Sequence, residues 1–226
     1  MTDADDRHVL LARASNPRRA TMNDAGRVAR LFAAAFAADP VFDWLARRGA
    51  KRAEAMERFF LWLLQARAIP HGETWLADDG SAAAAWLPPE ADASPGNLRE
   101  QLSLLPVIMR LTGVPRLLRG SAMASAMDAN HPKEPHFYLA FIGVAPRHQG
   151  KGLGSALLEA TLARVDAKGL PAYLENSNPR NRKLYERAGF SVRREVHARR
   201  DAPSLWPMWR APRKQIAVQG SSSESQ

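Results

Sequence analysis

Two stretches of the chain combine residue types and spacings that could do chemistry. The first is Arg147-His-Gln-Gly-Lys-Gly-Leu-Gly154, where three glycines fall within five positions beside Arg147 and Lys151. Glycines let backbone N–H groups approach a ligand closely and the cations add charge, which suggests a phosphate cradle. The second is NPRNRKLYERAGF, residues 178–190. Asn178 suits an N-cap, Pro179 the first helical position and Gly189 the residue after the last turn, so the helix limits are well marked. Asn178, Asn181 and Tyr185 recur at 0, +3 and +7 and share one face, which offers two amides and a phenol.

The glycine register decides which phosphate is meant. A triphosphate-binding P-loop needs Gly, four residues and then Gly-Lys-Ser/Thr, with the hydroxyl serving a metal. Gly150-Lys151 is followed by Gly152, and the preceding glycine, Gly143, is too far back. A dinucleotide fingerprint needs Gly-x-Gly-x-x-Gly directly after a strand. Here the order is Gly150-x-Gly152-x-Gly154, with Pro146, Arg147 and His148 intervening. What remains is a strand, a glycine loop and a helix N-terminus, the parts of an anion site for a pyrophosphate. On this stretch alone, a tight glycine turn without a ligand is an equally good account.

Several elements must position these groups. Phe137–Val144 (FYLAFIGV) is an apolar run of strand length, as expected of a strand buried on both faces. Leu158, Leu162 and Val165 form one helical face, and Ala172–Asn176 reads as the next strand, parallel to the first by a right-handed crossover. Ser191–Val196 and Leu205–Trp209 read as a closing pair. Upstream, Arg19–Met22 closes a first strand, and Asn23-Asp24 caps a helix carrying Val28, Leu31, Phe32 and Phe36 that Asp39-Pro40 stops. A second helix spans Glu54–Ala68. Thr74–Ala77 and Ala82–Leu87 form a hairpin through Asp78-Asp79-Gly80. Residues 96–128 read as two or three short helices broken at Pro106, Gly113 and Pro115. The expected organisation is a disordered tail over 1–16, a single α/β domain over 17–212 with that helical insertion, and a second tail over 213–226.

Composition narrows the classes. The chain of 226 residues has 46% hydrophobic and 24% charged residues, ordinary for a globular domain. No run reaches the roughly 18 apolar residues a membrane span needs, and the acidic start does not resemble a signal peptide. Cys 0 excludes an acyl-cysteine intermediate and fits a cytoplasmic location. The net charge of +9 is spread along the sequence, so a surface attracting anionic cofactors is favoured over a nucleic-acid partner. No metal-ligand spacing is present, and oligomeric state has no sequence signal.

The two motifs together, RHQGKGLG followed by an amphipathic helix and then NPRNRKLYERAGF, resemble the acyl-CoA-binding half of the GCN5-related N-acetyltransferase (GNAT) family. The likeness is strong over residues 136–196 and looser over RVARLFAAAFAADPVFDWL. Within that family the stretches HPKEPHFYLAFIGVAPRHQGKGLGSALL and YLENSNPRNRKLYERAGF are similar to the puromycin N-acetyltransferase-like branch. The resemblance implies a mixed, mostly antiparallel twisted sheet flanked by helices, with a parallel pair splaying to admit acetyl-CoA. It matches the family's Gln/Arg-x-x-Gly-x-Gly/Ala motif to Gln149, Gly152 and Gly154. It implies that pantetheine lies along Ile142, Gly143 and Val144, and that the pyrophosphate meets N–H groups of Gln149, Gly150, Lys151, Gly152, Leu153, Gly154 and Ser155, with Asn178 and Asn181 nearby. Tyr185 becomes the general acid for the departing thiolate. Glu175 is the first candidate for a base, ahead of Glu134 and His136. The reaction implied is direct acetyl transfer to a primary amine, most simply of a small molecule. Rival readings are a protein N-terminal or lysine acetyltransferase and a non-catalytic acetyl-CoA- or nucleic-acid-binding module. Acceptor choice is expected in the first 130 residues, where Trp44, Trp62, Trp75 and Trp86 are candidates for an aromatic pocket.

Overall fold

The computed structural model describes residues 3–91 and 98–213. At its centre is a strand with both faces buried. In β3 (Ala82–Leu87), Ala83, Ala85 and Leu87 face one layer, while Ala82, Ala84 and Trp86 face the other. The run of small alanines lets helices close on both sides of the sheet. β3 pairs antiparallel with β2 (Thr74–Leu76), and β2 with the two-residue β1 (Arg18–Arg19). On its other edge β3 pairs antiparallel with β4 (Phe137–Val144), which pairs parallel with β5 (Ala172–Asn176). β8 (Ser204–Arg210) lies antiparallel to β5 and carries the short β6 (Ser191–Val192) and β7 (Val196–His197). The sheet is therefore mixed and mostly antiparallel, with one parallel pair, which is the GNAT fold.

One layer is α2 (Ala25–Ala35) and α4 (Arg52–Leu63), joined to the sheet by a cluster that includes Val28, Phe32, Met56, Phe60 and Leu64. Gly143 makes the close approach of α2 to β4 feasible. A Cβ there would sit 2.9 Å from Phe32 Cδ1 and 3.1 Å from Ala35 Cβ. The opposite layer is α7 (Leu153–Ala167) with α1 (Asp3–Ser15). α3 (Pro40–Leu45), α5 (Leu98–Thr112) and α6 (Leu117–Asn130) stand over the central strands, and α8 (Arg182–Arg187) follows β5.

Four expectations are corrected. Residues 3–15 are not an unpatterned tail: they form α1, which buries Leu10 and Ala14, one turn apart, beside α7. Asp39-Pro40 does not stop α2, which has already ended at Ala35, but starts α3, because the Asp39 carboxylate caps it by accepting the Val41 and Phe42 N–H groups. Pro106 does not break α5. The carbonyl it leaves unpaired belongs to Leu102 on the exposed face, where water can satisfy it. The helix reaching Ala68 is not uniform, since Leu64–Ala68 close it in a π-helical turn, with Ile69 N–H donating to Leu64 O at 2.9 Å. Of the expected C-terminal tail, residues 214–226 lie outside the described residues.

Candidate active site

β4 and β5 pair only at Phe137 with Ala172 and Tyr138 with Tyr173, and then part. β4 is further distorted at Ala140, which has no partner in β3 because Ala85 faces Phe141 and Trp86 faces Leu139. Such a bulge re-aims the peptide groups that follow it. Ala145 N–H donates to Ser81 O on the β3 side, so strand alternation turns the peptide groups of Ile142 and Val144 towards the open side facing β5. Those groups form a strand edge available to an amide-bearing ligand.

The glycine loop sits at the end of that edge. Gly150 and Gly152 take φ of 77° and 93°, a conformation that costs other residues about 1–2 kcal/mol. Gly152 directly precedes α7, and Ala156 N–H is the one that donates back to Gly152 O, at 3.1 Å. The first-turn N–H groups of Leu153, Gly154 and Ser155 therefore have no intrahelical acceptor. The Leu153 side chain is buried in the core, so only its backbone is at the loop surface. Gln149 Nε2 donates to Val144 O at 3.1 Å, which locks the loop onto β4. Arg147 Nε donates to His148 Nε2 at 3.0 Å, and Arg7 of α1 donates to Lys151 O at 3.2 Å. Burial first, and then Arg147 and Lys151, lower the His148 pKa, so the imidazole is neutral at pH 7. Loop, helix start and strand edge fit a pyrophosphate joined to an amide-bearing arm.

Between the parted strands and the helices above them is a cavity of about 300 Å³. Tyr185, Glu175, Asn176 and Asn181 line it, so the structure brings both sequence-derived catalytic candidates to one cavity. Tyr185 is buried in α8, and burial first, then the charge of Asp39, push its phenol above the ordinary range. The Glu175 side chain is 3% exposed, and its carboxylate faces the phenols of Tyr138 and Tyr173. His131 Nδ1 lies 3.8 Å from Glu175 Oε1. Tyr138 and Tyr173 are held above their usual range by burial and then by the Glu175 charge. Glu134, by contrast, is exposed on the separate rim formed by His131, Pro132 and His136. His136 packs on His131 with ring centroids 4.9 Å apart, and burial lowers its pKa.

Asn178 spends its side chain as a cap, accepting from the Arg180 N–H at 3.1 Å. Of the four tryptophans only Trp62 lines the cavity, while Trp75 and Trp86 are core residues and Trp44 packs under α6. Two cavity groups escaped the sequence reading. Asp39 accepts from Ser177 Oγ at 2.5 Å, and burial pushes its carboxyl up despite that bond and its two backbone donors. Its signal was present in the Asp-Pro pair, a cap followed by a first-turn proline. Asn176 is buried with Nδ2 unpartnered among the described residues, and no sequence feature marks it.

The model of the acetyltransferase (GNAT) family matches residues 41–190, more than half of the chain and nearly all of this site. The chain belongs to that family. An uncharacterized N-acetyltransferase of Schizosaccharomyces pombe is 37% identical over 75 residues, 33% of this chain and 30% of that protein. The mycothiol acetyltransferase of Propionibacterium freudenreichii is 40% identical over 67 residues, 28% of this chain and 22% of its own length. The chain thus spans less than a third of these curated relatives. Among solved structures, a histone acetyltransferase HPA2 and related acetyltransferase from Corynebacterium glutamicum superposes with a TM-score of 0.63 at 23% identity, covering 88% of this chain and 98% of that one. Arylalkylamine N-acetyltransferase 2 from Aedes aegypti gives 0.60 at 12% identity, covering 87% and 98%. These likenesses establish the GNAT fold. Among the described residues no group of ligating side chains could hold a metal, and no helix is long and apolar enough to cross a membrane.

Proposed function

We propose that this GNAT chain transfers an acetyl group from acetyl-CoA to a primary amine of a small molecule, by direct attack within a ternary complex. One observation carries the reading: the parted β4–β5 edge opens onto a cavity lined by both Tyr185 and Glu175. Acetyl-CoA, the co-substrate, enters along Ile142 and Val144 with its pyrophosphate at the start of α7 and the Gln149–Ser155 loop. A neutral amine forms the new C–N bond as the C–S bond breaks, and its surplus proton passes to Glu175 on the cavity wall. Tyr185 gives its phenolic proton to the departing thiolate and regains one from solvent. The raised phenol pKa keeps that proton in place at neutral pH. A thiolate released into the same buried site is also made more basic, which narrows the gap that donation must cross.

A small acceptor is supported by the enclosure of the cavity, since α5 and α6 contribute Leu104, Ile108, Met123 and Met127 to its wall. A protein N-terminus or lysine tail would have to thread between those helices. The resemblance to the puromycin N-acetyltransferase-like branch and the mycothiol acetyltransferase relatives both suggest acceptors of this size. We place the activity in the cytoplasm, where acetyl-CoA is at hand. Thiol release with acetyl-CoA across a panel of amines, puromycin included, tests the proposal. Tyr185→Phe should lower turnover by about 10²-fold or more while acetyl-CoA still binds. A variant as fast as the wild type removes Tyr185 from the mechanism.

A further inference from the structure

The cavity holds a second recognition group far from the transfer chemistry. Arg67 lies in the π-helical turn that closes α4, a distortion frequent at functional sites. The residue is 8% exposed. Its Nη1 donates to Glu100 Oε1 of α5 at 2.9 Å. Its Nη2 is buried and has no acceptor among the described residues, and the residue borders the cavity. An arginine engaged through both nitrogens would be a structural tie between α4 and α5. This one is half engaged, with a buried Nη2 still to be satisfied beside the cavity. Leaving a buried donor unsatisfied is costly, so a ligand oxygen there would be strongly preferred over an apolar group.

The turn carrying Arg67 packs against β3, whereas Glu175 is on β5, two strands away across β4. The lining between them is apolar and aromatic, including Phe59, Trp62 and Phe141. Charge then selects the ligand. Glu100 already balances Arg67, and the other ionisable groups of the cavity wall besides Arg67 and the tyrosines are the carboxyls Asp39 and Glu175. A further carboxylate would find no uncompensated positive charge, whereas a neutral carbonyl oxygen accepts from Nη2 without adding charge.

We propose that Arg67 is a specificity-determining residue, and that the acceptor is an amine whose apolar body ends in a neutral carbonyl, an amide or ester, at the end remote from the nucleophilic nitrogen. This rests on the acetyl-transfer reading above. Three matched probes test it by thiol release with acetyl-CoA: 4-(2-aminoethyl)benzamide, 4-(2-aminoethyl)benzoate and 4-methylphenethylamine. The benzamide should exceed the methyl compound in kcat/KM by about 10- to 100-fold, the value of a hydrogen bond to a charged donor. Because Arg67→Met alone would remove the cation of the Arg67–Glu100 ion pair, the variant is the double Arg67→Met/Glu100→Gln, checked for folding by its thermal shift with acetyl-CoA. In it the benzamide-to-methyl ratio should fall to about one. A wild-type ratio near one, a ratio that survives in the double variant, or benzoate used as well as benzamide overturns the proposal. The amine-free p-toluamide, observed by saturation-transfer NMR, separates this inference from the transfer reading. Binding lost in the double variant supports the carbonyl site even if no amine releases thiol, and no binding to the wild type counts against it.

Discussion

Replacing Gly143 by alanine separates a packing role from a ligand-contacting one. The added Cβ would lie 2.9 Å from Phe32 Cδ1 and 3.1 Å from Ala35 Cβ. Carbon atoms in good contact are about 3.5–4.0 Å apart, so α2 must retreat by roughly 0.5–1 Å. Overpacking of this size costs about 2 kcal/mol, or about 6 °C in Tm for a chain of this length. The penalty falls on α2 and the phenylalanine cluster, on the side of β4 away from α7, so isothermal titration should find the acetyl-CoA Kd within about twofold of wild type. Gly152→Ala is the contrast. At φ 93° an alanine is strained by about 1–2 kcal/mol, and its Cβ would lie 3.4 Å from Leu11 Cδ2. That strain is relieved by moving the loop out of its cradle, so acetyl-CoA should bind about tenfold more weakly as well as Tm falling. The reasoning fails if Gly143→Ala keeps its Tm but weakens acetyl-CoA binding several-fold. Gly143 would then touch the donor and have no packing role.

Glu175→Gln should lower kcat/KM by about 10²-fold, measured by thiol release; a rate near that of the wild type assigns the amine's proton to another route. Asp166 gives a stability test. Arg210 grips it through two 2.7 Å bonds and Arg213 N–H adds a third, and these contacts outweigh burial and hold its pKa below the usual carboxylate range. A depressed folded-state pKa stabilises above the unfolded value and is lost as pH falls. Asp166→Asn should therefore cost about 3 kcal/mol at pH 7, with the gap in Tm to wild type closing below about pH 4; a gap independent of pH would contradict the assignment.

The elements of the proposed donor half were legible because its residues are local in sequence. The loop at 149–155, the capped helix at 178–189 and the strand at 137–144 each carry their own turn and cap chemistry, and the structure sets them side by side. The proposed acceptor half was not, because its groups come together only in three dimensions. Arg67 and Glu100 are 33 positions apart, and Asp39 and Ser177 are 138 apart. Local rules misled at Pro106, where exposure of the Leu102 carbonyl removes most of the cost of an interior proline. They misled again at α1, whose Asp-rich start hides a helix that buries only Leu10 and Ala14 among its described side chains. In every such case tertiary contacts decided what propensity left open.

The position of α1 bears on how the protein is handled. A researcher trimming an unpatterned N-terminus for crystallisation would cut near residue 17, and would remove Leu11 from beside Gly152 and Arg7 from the Lys151 carbonyl. The truncated product would keep its sheet and every catalytic candidate, yet present acetyl-CoA with a loop braced on one side only. Weak donor binding by such a product would be an artefact of the cut, and fusion tags at that end deserve a linker long enough to leave the helix seated.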